Sequence, residues 1–316
     1  MGTANRLSLL LGLVTLALGS CQGVESPASP PGLVAIVPTV ASAATSVSTS
    51  APGPATPLSP AQAVQDPAQT AVPLNADDWE TWPIVPAVPD AMKELFQQGQ
   101  ALGNDPHAFS VFGDCQSTPD VFMGVYDTDP TQVSQLPPAL QDTVSYFAGS
   151  FNRESPTSRS GTTAGALLWD QWTEGKYGCA PNETPVDCEL RVQRPSFVLI
   201  MVGTHYESRN IDYLRTILND LLGHGVVPIV ATKADDRELD DHLNRDMAVL
   251  ALQDSVPLWN FWASVKDQPN HDLYTKPIDK HLGDIYLNDD GLERHRFTSL
   301  EALDAVRRAV GDSLSP

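Results

Sequence analysis

The sequence predicts an α/β domain in which helices flank a parallel β-sheet. Two near-continuous apolar runs, at residues 195–203 and 226–232, are typical of strands covered on both faces. Between them, residues 211–222 place their apolar side chains on one helical face, and Gly223 and Gly225 end that helix. Strands that alternate with helices at this spacing predict parallel pairing.

The remaining elements are predicted from the same patterns. In chain order they are a helix at 90–100, a strand at 107–113, a helix at 138–148, a helix opening near Thr162, a helix at 244–253, a strand at 256–263 and a closing amphipathic helix at 300–310. In such sheets the functional site lies beyond the carboxyl ends of the strands. Cys115, Thr204 and His205 all fall there.

Composition divides the 316 residues into three parts. Residues 24–75 are rich in Pro, Ala, Ser, Thr and Val and hold no aromatic residue, so they cannot bury enough apolar surface to fold. We therefore expect a signal peptide at 1–20, a disordered tether at 21–75 and one domain at 76–316. The chain carries 39 Asp and Glu against 19 Lys and Arg, which argues against a nucleic-acid partner.

The N-terminus predicts a lipid anchor. Arg6 precedes an apolar run at residues 7–18 that is short for a membrane span, as in a signal peptide. The following Leu18-Gly19-Ser20-Cys21 resembles a bacterial lipobox, which implies that Cys21 is lipidated. The expected location is then the cell envelope, outside the cytoplasm, with the tether holding the domain off the membrane. An ordinary signal peptide with a chance cysteine is the alternative.

Three cysteines remain after Cys21. In an oxidising compartment Cys179 and Cys188 can close a short polar loop by a disulfide, which leaves Cys115 as an odd thiol. Cys115 lies in FSVFGDCQS at residues 109–117, where an alternating apolar run stops at Gly113 and Asp114 follows. If a helix begins at the cysteine, its N-terminus lowers the thiol pKa. A buried cysteine in a turn after a strand fits the same pattern.

Three blocks together resemble the SGNH/GDSL-type hydrolases. FGDCQS is similar to the family's first block, in which Gly-Asp-Ser supplies the nucleophile, SGTTAGALL at 160–168 is similar to the second, and PSFVLIMVGTHY at 195–206 to the third. The resemblance covers roughly residues 107–310 and implies a flavodoxin-like three-layer sandwich. It implies catalytic roles for Cys115 and Asp114, and an oxyanion site formed with Gly161, Gly203 and His205.

The sequence departs from the family pattern at several positions. Cysteine replaces the serine nucleophile, and His205 replaces an asparagine. The family's last block, Asp-x-x-His, is absent at its expected spacing. We rank His295, oriented by Asp290, first as general base, with His281 and His205 as alternatives. A domain without this base is a further alternative.

The resemblance implies a surface-anchored enzyme that cleaves ester bonds, as an esterase, deacetylase or acyltransferase acting on acylated glycans or small esters. The alternative is a catalytically degenerate domain that binds glycan or other envelope ligands. We expect no cofactor and no metal site, since the Asp235-Asp236 and Asp240-Asp241 pairs lack ligand spacing and fit a solvated loop. The tryptophans at 169, 172, 259 and 262 suggest a sugar groove, but core packing explains them as well.

Overall fold

The fold is built on a four-stranded parallel sheet in the order β1-β2-β3-β4. This computed structural model describes residues 74–204, 210–275 and 285–311. The strands are β1 (Asp105–Gly113), β2 (Pro195–Met201), β3 (Val227–Ala231) and β4 (Leu258–Trp259). Phe109 of β1 pairs with Phe197 of β2, which pairs in turn with Val227 of β3.

Helices connect the strands. They are α1 (Ala91–Leu102), α2 (Val125–Thr128), α3 (Pro130–Gln135), α4 (Pro138–Tyr146), α5 (Ala164–Leu167), α6 (Pro185–Val192), α7 (Ile211–Gly223), α8 (His242–Gln253), α9 (Phe261–Val265) and α10 (Asp289–Gly311). Short 3₁₀ helices span Ala76–Thr81, Asp170–Trp172, Gly175–Tyr177 and Pro269–Asp272. Among the helices of these described ranges, none combines the length and apolar character needed to cross a membrane.

The helices cover both faces of the sheet. On one face, Phe109 and Phe197 both contact Phe147 at the end of α4, with ring centroids 5.4 Å apart in each pair. Neighbouring strand residues point to opposite faces, and Ser110 on the other face donates a hydrogen bond to the buried Glu189 of α6. The predicted three-layer α/β sandwich is confirmed.

Two predicted elements are wrong in extent. The apolar run at 256–263 forms only the two-residue strand β4 and then helix α9, because the Asn260 side chain caps that helix by accepting from the backbone N–H of Ala263 at 3.3 Å. The last helix begins at Asp289 rather than near residue 300. At this start the Asn288 side chain accepts a hydrogen bond from the backbone N–H of Gly291 at 2.8 Å. His295 therefore lies on a helix and not in a loop before it.

The outer edge of β1 is covered near its carboxyl end by a loop. Gly113 forms a parallel bridge with Ser158, and the backbone N–H of Gly113 donates to the carbonyl of Thr157 at 2.9 Å. Arg159 donates back to the carbonyl of Gly113 at 3.3 Å. We call residues 155–162 the edge loop; it carries Gly161.

A disulfide joins Cys179 to Cys188, and the nine-residue separation makes a short closed loop. Cys188 is buried in α6, so the bond ties the segment before this helix to the helix itself. The predicted signal peptide, the lipidation of Cys21 and most of the tether concern residues 1–73, which lie outside the described residues.

Candidate functional site

The carboxyl ends of the strands surround a small cavity. Its volume is about 40 Å³, which is enough to admit water or a small polar group. The polar residues that line it follow the ends of β1, β2 and β3 or lie on α10. They include Asp114, Ser117, Thr204, Lys233, Asp235 and His295. The site predicted at this edge of the sheet is therefore a polar recess suited to a small group.

Cys115 lies in the turn directly after β1 and is a half-buried thiol outside the disulfide. Turns continue until α2, so the predicted helix start at Cys115 is wrong. Asp114 explains the difference, because its carboxylate accepts from the backbone N–H of Gln116 at 3.0 Å and its carbonyl accepts from Ser117 at 3.0 Å, which favours a tight turn. The thiol thus has no helix N-terminus beneath it, while its neighbours Asp114 and Gln116 line the cavity.

The edge loop brings the second sequence block beside the first. The Ser158 hydroxyl donates to the backbone carbonyl of Ser117 at 2.6 Å, which links the edge loop to the turn that carries Cys115. Gly161 has a φ of +81°, a left-handed conformation that glycine adopts without strain. A residue with a side chain at position 161 would therefore strain the edge loop.

The third block ends on a close-packed glycine. Gly203 has a φ of +148°, and a Cβ atom there would lie 3.0 Å from Leu243 and 3.1 Å from the Lys233 stem. The Thr204 hydroxyl donates to Asp235 at 2.8 Å, and the Arg237 guanidinium donates to the Thr204 carbonyl at 3.3 Å. The predicted residues His205 and His281 lie outside the described residues.

A buried ion cluster at the end of β3 was missed by the sequence reasoning. The Lys233 ammonium lies 3.2 Å from the Asp235 carboxylate and 2.6 Å from that of Glu238, and all three side chains are buried. The interpretation of the Asp235-Asp236 pair as a solvated loop holds for Asp236, which is exposed, and is wrong for Asp235, which is 2% exposed. The sequence contained one signal for this cluster. Lys233 and Asp235 follow the apolar run at 226–232 within three residues, close enough to a buried strand to be buried themselves.

His295 is enclosed by aromatic rings and is 6% exposed. The ring centroids of Phe122, Trp259 and Phe261 lie 4.7, 5.2 and 4.6 Å from its own. Its Nδ1 atom has no hydrogen-bond partner among the described residues. Burial, assisted by the positive charge of Arg296, lowers the pKa of His295 from its usual value of 6.5 to about 3. The imidazole is therefore neutral at ordinary pH and holds a proton poorly.

The structure does not bring Asp290 to His295. Both residues lie on α10, five positions apart, which corresponds to about 140° around the helix axis. Asp290 is exposed at the start of the helix while His295 points into the aromatic enclosure. The predicted acid–base pair is thus wrong in geometry, because it assumed a loop where the chain is helical.

The four tryptophans divide between core and surface. Trp259 and Trp262 are buried, whereas Trp172 is half-buried and Trp169 is exposed. Among the side chains of residues 74–204, 210–275 and 285–311, no group of three or more His, Cys, Asp or Glu has an arrangement that could hold a metal ion.

No family model matches the chain, and no curated protein matches it. Among solved structures, the chain is similar to a crystal structure of a GDSL-like lipase from Bacteroides thetaiotaomicron VPI-5482, with a TM-score of 0.38 and 14% identity over 68% of this chain and 98% of that one.

Proposed function

We propose that this protein hydrolyses ester bonds with Cys115 as the nucleophile. The observation that carries the proposal is the position of the thiol, in a turn directly beyond the carboxyl end of β1 and beside the edge loop with its left-handed Gly161. Parallel sheets bind substrates at this edge. A thiol there, half-buried beside a polar cavity, can meet a carbonyl group of a bound substrate.

The proposed reaction proceeds through an acyl-enzyme. The Cys115 thiolate attacks the acyl carbonyl, and the oxyanion that forms is held by the backbone N–H groups of Cys115 and Gly161, with Gly203 and His205 contributing. The C–O bond then breaks, the alcohol leaves with a proton from the base, and water cleaves the thioester. Because burial lowers the pKa of His295 to about 3, it accepts a proton too weakly to serve as the base, and we assign the base to His281 or His205 instead.

The size of the cavity supports short acyl groups. A recess of only about 40 Å³ beside the turn that carries Cys115 supports a short acyl group such as acetyl over a long acyl chain. Within the esterase, deacetylase and acyltransferase activities, this favours deacetylation of an acylated glycan or a small ester.

We further propose that the enzyme works at the bacterial surface. A lipidated Cys21 and a tether at 21–75 would hold a domain at 76–316 outside the cytoplasm. The Cys179–Cys188 disulfide supports this location, because disulfides persist in oxidising compartments.

One observation favours a second function, a binding domain without catalysis. The histidine ranked first as base borders the cavity but packs among three rings, and its Nδ1 has no hydrogen-bond partner among the described residues. If neither His205 nor His281 acts as the general base for Cys115, the recess binds a ligand without catalysing a reaction.

Two assays on the full chain separate the two functions. The first measures hydrolysis of nitrophenyl acetate by the wild type and by C115A, H281A and H205A variants. We expect C115A to lower turnover by at least about a thousandfold, as removal of a catalytic nucleophile does. The second measures iodoacetamide labelling of Cys115 against pH, with an expected midpoint below about 8.5, the value of an ordinary thiol.

The outcome that contradicts the hydrolase is specific. Wild-type protein without turnover, or a C115A variant that retains it, would exclude Cys115 as nucleophile and favour the binding domain. Trapping an acetyl group on Cys115 by mass spectrometry would support the acyl-enzyme directly.

A further inference from the structure

Trp169 is an exposed tryptophan directly after the second sequence block. It is 52% exposed, although a ring of this size normally buries most of its surface. It follows helix α5, and its backbone N–H donates to the carbonyl of Ala166 at 3.1 Å. The exposure is therefore a property of a hydrogen-bonded turn and not of a fraying end.

The segment that carries Trp169 is fixed against the edge loop. The nearest Trp172 ring atom lies 3.8 Å from where a Cβ of Gly161 would sit, and the Trp172 indole donates to the Thr162 hydroxyl at 3.3 Å. The Arg159 guanidinium lies 5.1 Å from the Trp172 ring centroid and donates to the Trp172 carbonyl at 2.6 Å. Trp169 is three residues from Trp172, so their Cα atoms are at most about 11 Å apart.

The far end of this segment is held by the disulfide. Cys179 is bonded to Cys188 in α6, and Glu189 of the same helix accepts a hydrogen bond from Ser110 in β1. Residues 169–179 are thus anchored at both ends to the elements that carry Cys115 and Gly161. Such an anchored surface binds a ligand with little ordering cost.

The surroundings of Trp169 indicate what kind of ligand fits. Gln171, Glu174 and Lys176 are exposed along the same segment, so polar side chains follow the ring closely along the chain. An acyl chain or a membrane needs contiguous apolar surface. A sugar ring matches better, because its C–H face stacks on an indole while its hydroxyl groups bond to amides and carboxylates.

We propose that Trp169 forms a carbohydrate subsite that binds a neutral sugar on the edge-loop side of the site, as the alcohol portion of the ester. The assignment of the sugar as the alcohol portion of the ester rests on the proposed function, whereas binding of the sugar to Trp169 does not require catalysis. The chain carries a net charge of −20, which disfavours acidic polysaccharides and leaves neutral ones.

Affinity electrophoresis of the full chain tests the subsite. The gels contain acetylated xylan or its deacetylated form, both neutral at the backbone sugar. We expect both to retard the wild type and expect W169A to weaken binding at least about tenfold, or 1.4 kcal/mol. W169F should retain most of the affinity, whereas W169L should bind as weakly as W169A, because leucine is apolar but not planar.

Leu102→Ala is the matched control. Leu102 is 60% exposed at the end of α1, just before the amino end of β1 and so at the end of the strand away from the edge loop, and its truncation should leave the retardation unchanged. Hydrolysis of nitrophenyl acetate, which has no sugar, should be the same in L102A and in the wild type.

The outcomes distinguish this inference from the proposed reaction. Equal retardation of W169A and wild type, or no retardation of the wild type, would overturn the subsite even if the esterase activity is present. Retardation that depends on Trp169 in a protein without turnover would support the subsite and contradict the hydrolase.

Discussion

Replacing His295 with phenylalanine should make the protein less sensitive to acid without removing its activity. The phenylalanine ring can keep the contacts that His295 makes with Phe122, Trp259 and Phe261. It removes the Nδ1 atom, which has no hydrogen-bond partner among the described residues. The adjoining cavity of about 40 Å³ gives room for the larger ring.

The magnitude follows from the lowered pKa of His295. In the unfolded chain the histidine takes up a proton below about pH 6.5, but in the folded protein only near pH 3, where burial has moved its pKa. Between these values the unfolded state binds more protons, so the free energy of unfolding falls as the pH falls. From pH 7 to pH 4.5 this single residue removes about 2.5 kcal/mol of stability.

Urea unfolding at pH 7, 5.5 and 4.5, followed by tryptophan fluorescence, measures the effect. Carboxylates that titrate in the same range act on both proteins, so the difference between wild type and H295F isolates the histidine. This difference should move by about 2.5 kcal/mol in favour of H295F on acidification. Parallel pH profiles, or loss of nitrophenyl acetate turnover in H295F, would refute the enclosed neutral histidine and restore it as a candidate base.

Two further predictions concern stability. Replacing both Cys179 and Cys188 with alanine should lower the free energy of unfolding by about 2.5 kcal/mol, the chain-entropy value for a loop of this length, and added reductant should do the same to the wild type only. Asp235→Asn should cost about 1.5 to 3 kcal/mol because the buried hydrogen bonds of Asp235 with Lys233 and Thr204 lose the carboxylate charge, while Glu238 still pairs with Lys233. The neighbouring exposed Asp236→Asn should change stability by less than about 0.5 kcal/mol, and equal effects of the two variants would contradict the buried cluster.

The central part of the fold was predictable from sequence because the hydrophobic pattern within each single segment there indicates which residues are buried. Strand β3 is apolar along its whole length, β2 is apolar except for Ser196, and α7 repeats its apolar residues at helical spacing. The run after residue 256 was not predictable in this way, since an apolar stretch fits a strand or a helix equally well. The hydrogen bonds of Asn260, to Ala263 within α9 and to the distant carbonyl of Trp79, decide its structure.

The candidate site was predictable only where it depends on backbone turns. Gly161 and Gly203 were singled out by their blocks, and both have positive φ values. The environment of His295 depends on rings from two segments distant from it in sequence, and no local pattern reveals it. The first turns of α10 are rich in charged residues and show no apolar repeat, so the helix was predicted to begin too late.

The pairing of the edge loop with β1 has a consequence for solubility. A strand at the border of a sheet offers unpaired backbone groups that can recruit a strand from another molecule. Here Gly113 is occupied on its outer side by Thr157 and Arg159, within the same loop that holds Gly161. Substrate binding that displaced this loop would expose the β1 edge to pairing with another molecule. Keeping the edge loop in place therefore protects the protein from aggregation, in addition to any role of the loop in catalysis.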